Sequence, residues 1–269
     1  MKKAVKRKKV RLARIAAVTA RVLFFFSVLA VGLFAFYYCQ NALETGSHFV
    51  LEKIEYKGAN RFDQEAFSDF LRKSFDPNLL TLDIHHVRAL VEGETWVKRG
   101  LVRRKLPNTL VIQLVEREPA AVAVIDKELY VVDNEGVVLD AFGPAYEFLD
   151  QPIVKGLRNV AREESKVENA HRMGLYLNVV ADLQGDSFDY TNSISEIDVE
   201  NPERIAVIPS DDPVSVYLGN DLFKKRYEVF LSQKQLYFRL KEKYGLIEYV
   251  DVTYDNKIIF HTPNKAVVG

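Results

Sequence analysis

The side chains best placed to do chemistry in this 269-residue chain are two adjacent histidines, His85 and His86, and three aspartates, Asp182, Asp186 and Asp189, around Gly185. Imidazoles ligate transition metals, and carboxylates around a glycine can ligate calcium. Neither group closes a site. Neighbours on a helix project about 100° apart, so His85 and His86 face different directions and read as solvent-facing. The aspartates do not follow calcium-loop spacing and read as an ordinary acidic loop. His48, His171 and His261 stand alone, without a carboxylate at ligand spacing. There is no Gly-x-Ser-x-Gly and no phosphate-binding glycine motif. The expectation is therefore no catalytic residue, no metal, no cofactor and no small-molecule substrate, which moves the reading toward a binding role.

The elements that would position a binding surface begin with the first forty residues. Nine Lys or Arg and no acid lie between Met1 and Arg21, and Val22 to Tyr38 carries no charge and no proline. At 1.5 Å per residue that run reaches about 26 Å, enough for a hydrocarbon core of roughly 30 Å if its flanks help. The basic flank places the N-terminus in the cytoplasm, so the rest is expected in the periplasm or outside the cell. Phe36, Tyr37 and Tyr38 close the apolar run and Cys39 and Gln40 follow, where a cleaved leader wants small residues. The segment reads as an uncleaved anchor, with Tyr37 and Tyr38 at the far interface and Arg21 snorkelling to the near one.

The 37 bases and 37 acids balance only because of that tail. Without its nine bases the remaining chain holds 28 against 37 acids, which argues against nucleic acid as a partner. Cys39 is the one cysteine, so no disulfide forms within the chain and the exported part depends on its core.

Alternation of Val50, Glu52, Ile54 and Tyr56 with Leu51, Lys53 and Glu55 predicts a strand. Asp63 then reads as an N-cap, with Phe62 and Phe67 at hydrophobic-staple spacing, opening a helix with Phe67, Phe70 and Leu71 on its buried face. A second short helix follows Thr81 or Asp83, with Ile84, Val87, Leu90 and Val91 on one face and Gly93 at its end. Trp96 to Leu106 and Thr109 to Glu118 are strands around a turn at Pro107-Asn108. The order strand, helix, helix, strand, strand predicts a three-stranded sheet covered on one face by two helices.

Past Pro119, short strands are expected at 121–125, 129–132 and 137–139, with a turn at Asp133-Asn134-Glu135-Gly136. A helix over 163–184 presents Ala170, Met173, Leu177 and Val180. Strands follow at 193–199, 204–208 and 214–218, then one long helix with Phe223, Tyr227, Phe230, Tyr237, Leu240 and Tyr244 on its face. A hairpin of 247–254 and 257–261 around Asp255-Asn256 closes the chain. The fold class is α+β.

The run from Trp96 through Lys105-Leu106-Pro107-Asn108-Thr109-Leu110 to Val115-Glu116-Arg117-Glu118-Pro119-Ala120 resembles the bacterial FtsQ/DivIB cell-division family. So do Val216-Tyr217-Leu218-Gly219 with the following helix, and Tyr249-Val250-Asp251-Val252-Thr253-Tyr254-Asp255. The resemblance implies a cytoplasmic tail at 1–21, a transmembrane helix at 22–42, a linker at 43–48 and a POTRA domain at 49–118. A mixed α/β "β domain" at 119–262 would end on an edge strand, with a short tail at 263–269. It further implies a non-catalytic, single-pass inner-membrane scaffold of the divisome at the septum, linking early and late division proteins. Its implied partners are FtsB and FtsL, with FtsB adding a strand beside the last one.

By match of motif, Tyr254 is the aromatic anchor for FtsB, with Asp255, Asn256 and Lys257 at the turn and Ile258, Ile259 and Phe260 along the strand. Gln113 and Val115 are implied as a recruitment surface. Two positions depart from the family pattern: Thr253 stands where Arg is common, and Asn256-Lys257 replaces small residues. Two other classes compete. A POTRA-bearing transport or outer-membrane assembly factor would carry several such units leading into a barrel. A membrane-anchored periplasmic cell-wall enzyme would need a catalytic constellation.

Overall fold

A computed structural model describes residues 19–38, 49–158, 163–185, 188–255, 257–263 and 265–268. The basic residues Lys2 to Arg14, Cys39, the linker 43–48, Asp186 and Asn256 lie outside them. Helix α1, Thr19–Tyr38, is exposed along its whole length, with Phe24, Phe25 and Phe34 each about 70% exposed. An apolar helix with no protein around it fits a single membrane span. Beyond α1 the chain falls into two compact units divided between Glu116 and Arg117.

The first unit runs β1 (Lys53–Lys57), α2 (Gln64–Ser74), α3 (Ile84–Gly93), β2 (Val97–Lys105) and β3 (Thr109–Glu116). The sheet order is β1-β3-β2, with β1 parallel and β2 antiparallel to the central strand. The helix starts are those the capping residues dictate. Asp63 accepts from the Ala66 N–H at 2.9 Å, and Asp83 accepts from His85 and His86 N–H groups at 2.9 and 3.2 Å. The Phe62 and Phe67 rings meet at 5.2 Å as the staple requires. Leu110, Ile112 and Leu114 of β3 turn toward Phe67, Leu71, Val87 and Val91 of the helices, burying the alternate positions of one sheet face. Arg104 donates from Nε and Nη2 to the carbonyls of Leu79 and Leu82, tying β2 to the loop between the helices.

The second unit holds one ten-stranded sheet. Its strands are β4 (Pro119–Ile125), β5 (Glu128–Asp133), β6 (Val138–Ala141), β7 (Ile153–Lys155), β8 (Ile194–Asp198), β9 (Ile205–Pro209), β10 (Ser215–Gly219), β11 (Tyr249–Asp251), β12 (Ile259–Thr262) and β13 (Lys265–Val268). They lie in the order β13-β12-β11-β10-β9-β8-β7-β4-β5-β6. Helices α4 (Glu163–Leu183), α5 (Phe223–Ser232) and α6 (Lys234–Tyr244) complete the unit, and α4–α6 share one apolar core with the sheet through Met173, Tyr176, Tyr227, Phe230 and Tyr237.

Three expectations change here. The predicted long helix is two helices broken at Gln233, whose N–H folds back to the Phe230 carbonyl at 3.0 Å. The break aims Tyr237 inward, where its hydroxyl donates to Asp212 at 2.9 Å, while Tyr244 stays exposed. The buried face of α4 keeps the predicted Met173 and Val180 but not the other two. Ala170 and Leu177 point to solvent, while Asn169 and Arg172 are buried. Both serve backbone: Asn169 brackets the N–H and C=O of Arg158, and Arg172 donates to the carbonyls of Gly156 and Glu200. Periodicity of apolar residues misses a face whose buried members are polar. Finally, the segment 263–269, expected as a tail, contains β13, which pairs along β12 from Thr262↔Lys265 to Ile259↔Val268.

Candidate protein-interaction site

The last of these changes relocates the free edge. β12 bonds to β11 on one side and to β13 on the other, so 257–261 is not the rim of the sheet. The rim at this end of the sheet is β13, which has β12 on one side and, among the described residues, no strand on the other. The domain does end on an edge strand, formed by residues further along the chain than expected. An unpaired edge presents a row of N–H and C=O groups that can accept another backbone.

The residues predicted to bind a partner divide by burial. Tyr254 is 56% exposed, Asp255 and Lys257 are exposed, and Ile259 is half-buried. Ile258 and Phe260 are core residues, 3% and 0% exposed, and the Phe260 ring lies 6.4 Å from Tyr237. Their side chains hold the loop to the domain and are not available to a partner. Asn256 lies outside the described residues.

The loop carrying Tyr254 is anchored at its start. Asp251 Oδ1 accepts from the Thr253 N–H at 3.0 Å and from the Thr253 hydroxyl, while Arg204 Nη2 donates to Oδ2 at 3.3 Å. Threonine at 253 thus closes a local turn with Asp251. The Lys257 N–H donates to the Tyr254 carbonyl at 3.3 Å, which turns the chain back toward β12.

Beside this loop lies a groove of about 340 Å³ between Tyr254, Lys257 and Ile258 on one wall and Leu222, Lys225 and Val229 of the α5 region on the other. Leu222 is held at φ 52° with its side chain 53% exposed. A left-handed leucine costs roughly 1–2 kcal/mol, and such strain collects at binding sites. The strain is held in place from both sides: Arg226 Nη1 grips the carbonyls of Leu218 and Asp221, and Asp182 of α4 accepts the Lys224 N–H at 2.9 Å. Nothing in the local sequence flags Leu222; only its backbone angle does.

In the first unit Gln113 and Val115 are exposed on the sheet face opposite the helices, Val115 by 52%. Between them in sequence, Leu114 points into the core. Glu116, next in line, was not singled out as a functional residue. Its Oε1 accepts three backbone N–H groups, from Asn60, Arg61 and Phe62, at 2.8, 2.8 and 2.9 Å. Partial burial would raise its carboxyl, but these three donors outweigh it and hold the group below the usual glutamate range. The glutamate of the Glu-x-x-Pro motif therefore fastens the loop before α2 to the end of the central strand.

Among the described residues no group of three His, Cys, Asp or Glu could hold a metal. Burial pushes the hydroxyls of Tyr176 and Tyr237 up, and both donate hydrogen bonds within the core, to the Pro152 carbonyl and to Asp212.

Residues 49–117 match the family model for the FtsQ-type POTRA domain, and residues 120–253 match that for the C-terminal region of cell division protein FtsQ/DivIB. Similar proteins include the cell division protein FtsQ of Syntrophotalea carbinolica, 26% identical over 86% of this chain and 79% of that protein. Others are those of Geotalea daltonii, 27% identical over 78% of this chain and 75% of its own length, and Koribacter versatilis, 24% identical over 78% of this chain. The chain spans 59% of the length of the Koribacter protein. The POTRA match ends within one residue of the division at Glu116/Arg117, and the second match runs from β4 through β11 and ends at Thr253, before Tyr254, β12 and β13. Both units therefore carry the family's signature in the family's order behind one apolar helix, and the chain belongs to the FtsQ/DivIB family of cell-division proteins.

Proposed function

We propose that this chain is a non-catalytic divisome scaffold with a cytoplasmic N-terminus and periplasmic domains, linking early and late division proteins at the septum. FtsB and FtsL are its partners, and FtsB binds by adding a strand to the second unit. The observation that carries this reading is the open rim of β13, whose Val268 pairs with Ile259 at the start of β12, the strand into which the loop with exposed Tyr254 leads. Val268, 63% exposed, stands opposite Ile259, two positions from Lys257 in the wall of the groove. A strand running along β13 pairs its backbone with the sheet, and chain continuing past the Val268 end can turn toward the Tyr254 loop. Tyr254 acts as the aromatic anchor, with Asp255 and Lys257 beside it; aromatic side chains often dominate such contacts. Gln113 and Val115 are proposed as a second, recruiting surface. The basic tail and α1 set the orientation.

The test is co-purification of the full-length chain with the soluble parts of FtsB and FtsL. Retention of FtsB by the wild type and its loss in Tyr254→Ala is the expected result. Equal retention by both removes Tyr254 from the interface. A septal ring of tagged protein and filamentous cells on depletion are expected in vivo; dispersed label with normal division contradicts the scaffold role.

A further inference from the structure

We propose that the helix-free face of the POTRA sheet rests on the anionic lipid headgroups of the membrane that α1 crosses. Strand alternation collects one kind of side chain there. Across the sheet, Lys53 and Lys105 flank Thr109, Glu55 and Arg103 flank Val111, Lys57 and Leu101 flank Gln113, and Arg99 lies beside Val115. The face thus carries five cations and one carboxylate, Glu55, which is bridged to Lys53 and Lys105 at 2.9 and 3.2 Å. Lys57, Arg99 and Arg103 are exposed. Of its apolar members Leu101 and Val115 are exposed, at 52% each, while Val111 at the centre is buried. The opposite face is apolar and covered by α2 and α3.

Two features favour a lipid surface over an acidic protein. The first is reach. From Tyr38 at the end of α1 to Phe49 the chain advances eleven residues, which span at most about 40 Å. The face is therefore held permanently within a short distance of headgroups, at high effective concentration. The second is shape. Side chains on one face of a sheet recur about every 7 Å along a strand and about 5 Å between strands, a flat lattice of charge with no groove to define a peptide's path. A flat cationic array with a few exposed apolar side chains suits an anionic interface. The inference does not depend on the FtsB edge, and it shares its face with Gln113 and Val115, so lipid and a recruiting protein would compete for that face.

The test places the full-length chain in nanodiscs containing a nitroxide-labelled lipid. A Cys39→Ser background carries a fluorophore at Gln113→Cys on the cationic face, or at Phe70→Cys on the helix side as control. In discs rich in phosphatidylglycerol the Gln113 label is quenched and the Phe70 label is not. Quenching falls in neutral phosphatidylcholine discs, in about 0.5 M salt, and in the Lys57→Glu, Arg103→Glu and the milder Lys57→Gln, Arg103→Gln pairs. Each cation removed lowers the lipid-resting population by about fivefold. Equal quenching in neutral and anionic discs overturns the proposal. So does a Gln113 label that ignores lipid yet is protected by an acidic periplasmic protein, which would make this face a protein-docking surface.

Discussion

Phe260 stands directly opposite Val267 across β12 and β13, with its ring fully buried against Tyr237. This pair makes β12 an interior strand and leaves β13 as the rim. Phe260 is therefore a folding residue. Phe260→Ala should destabilise the second unit by about 3–5 kcal/mol, read as a lower midpoint in thermal unfolding of the full chain. An unchanged midpoint with weakened FtsB binding would return Phe260 to the interface.

Proline scanning separates the two strands. Ile259→Pro removes a donor from a strand paired on both sides and should destabilise the domain. Neighbouring residues of a strand send their N–H groups to opposite sides, so one of Ala266→Pro and Val267→Pro removes an outward donor of β13 and the other an inward one. Loss of one ladder hydrogen bond should weaken FtsB retention up to about tenfold in either variant, with little change in the thermal midpoint because β13 is a short peripheral strand. Full retention in both variants excludes β13 as the accepting edge.

Tyr254→Ala should cost FtsB about 1–2 kcal/mol of affinity. The ring is 56% exposed, so the midpoint of unfolding should stay within about 0.5 kcal/mol equivalent of wild type. Titration by fluorescence anisotropy measures the first quantity and calorimetry the second.

Glu116 makes the first unit sensitive to acid. Its folded-state carboxyl is held below the ordinary glutamate value of about 4.3. The stabilisation is thus present above that value and is lost as pH falls through the folded one. Glu116→Gln should lose about 1–2 kcal/mol at neutral pH, a figure reduced for its partial exposure. The gap between wild type and variant should close as the pH is lowered below about 4. A gap that stays constant with pH would mean that charge is not what the three amides recognise.

Features of the first unit that depend on near neighbours were legible in the sequence. Asp63 and Asp83 cap helices because their carboxylates reach amides two or three residues on, and the alternation of Leu110, Ile112 and Leu114 reports one buried face. What escaped depends on distance or on polar burial. Glu116 bonds amides 54 to 56 residues away. Asn169 and Arg172 are buried because of carbonyls and amides brought in by other segments. β7 is only Ile153–Lys155, too short to show a period. β13 follows Pro263 and offers Ala266, Val267 and Val268, a run without alternation. Missing β13 misplaces the rim by one strand.

Amide hydrogen exchange of the full-length chain, with and without the soluble part of FtsB, bears most directly on strand addition at the rim. Exchange across 265–268 should slow on binding, with β12 equally protected in both states. Faster exchange at 265–268 with β12 still protected would mean that FtsB displaces β13 and takes its place. Unchanged exchange in both strands would mean that no strand is added there.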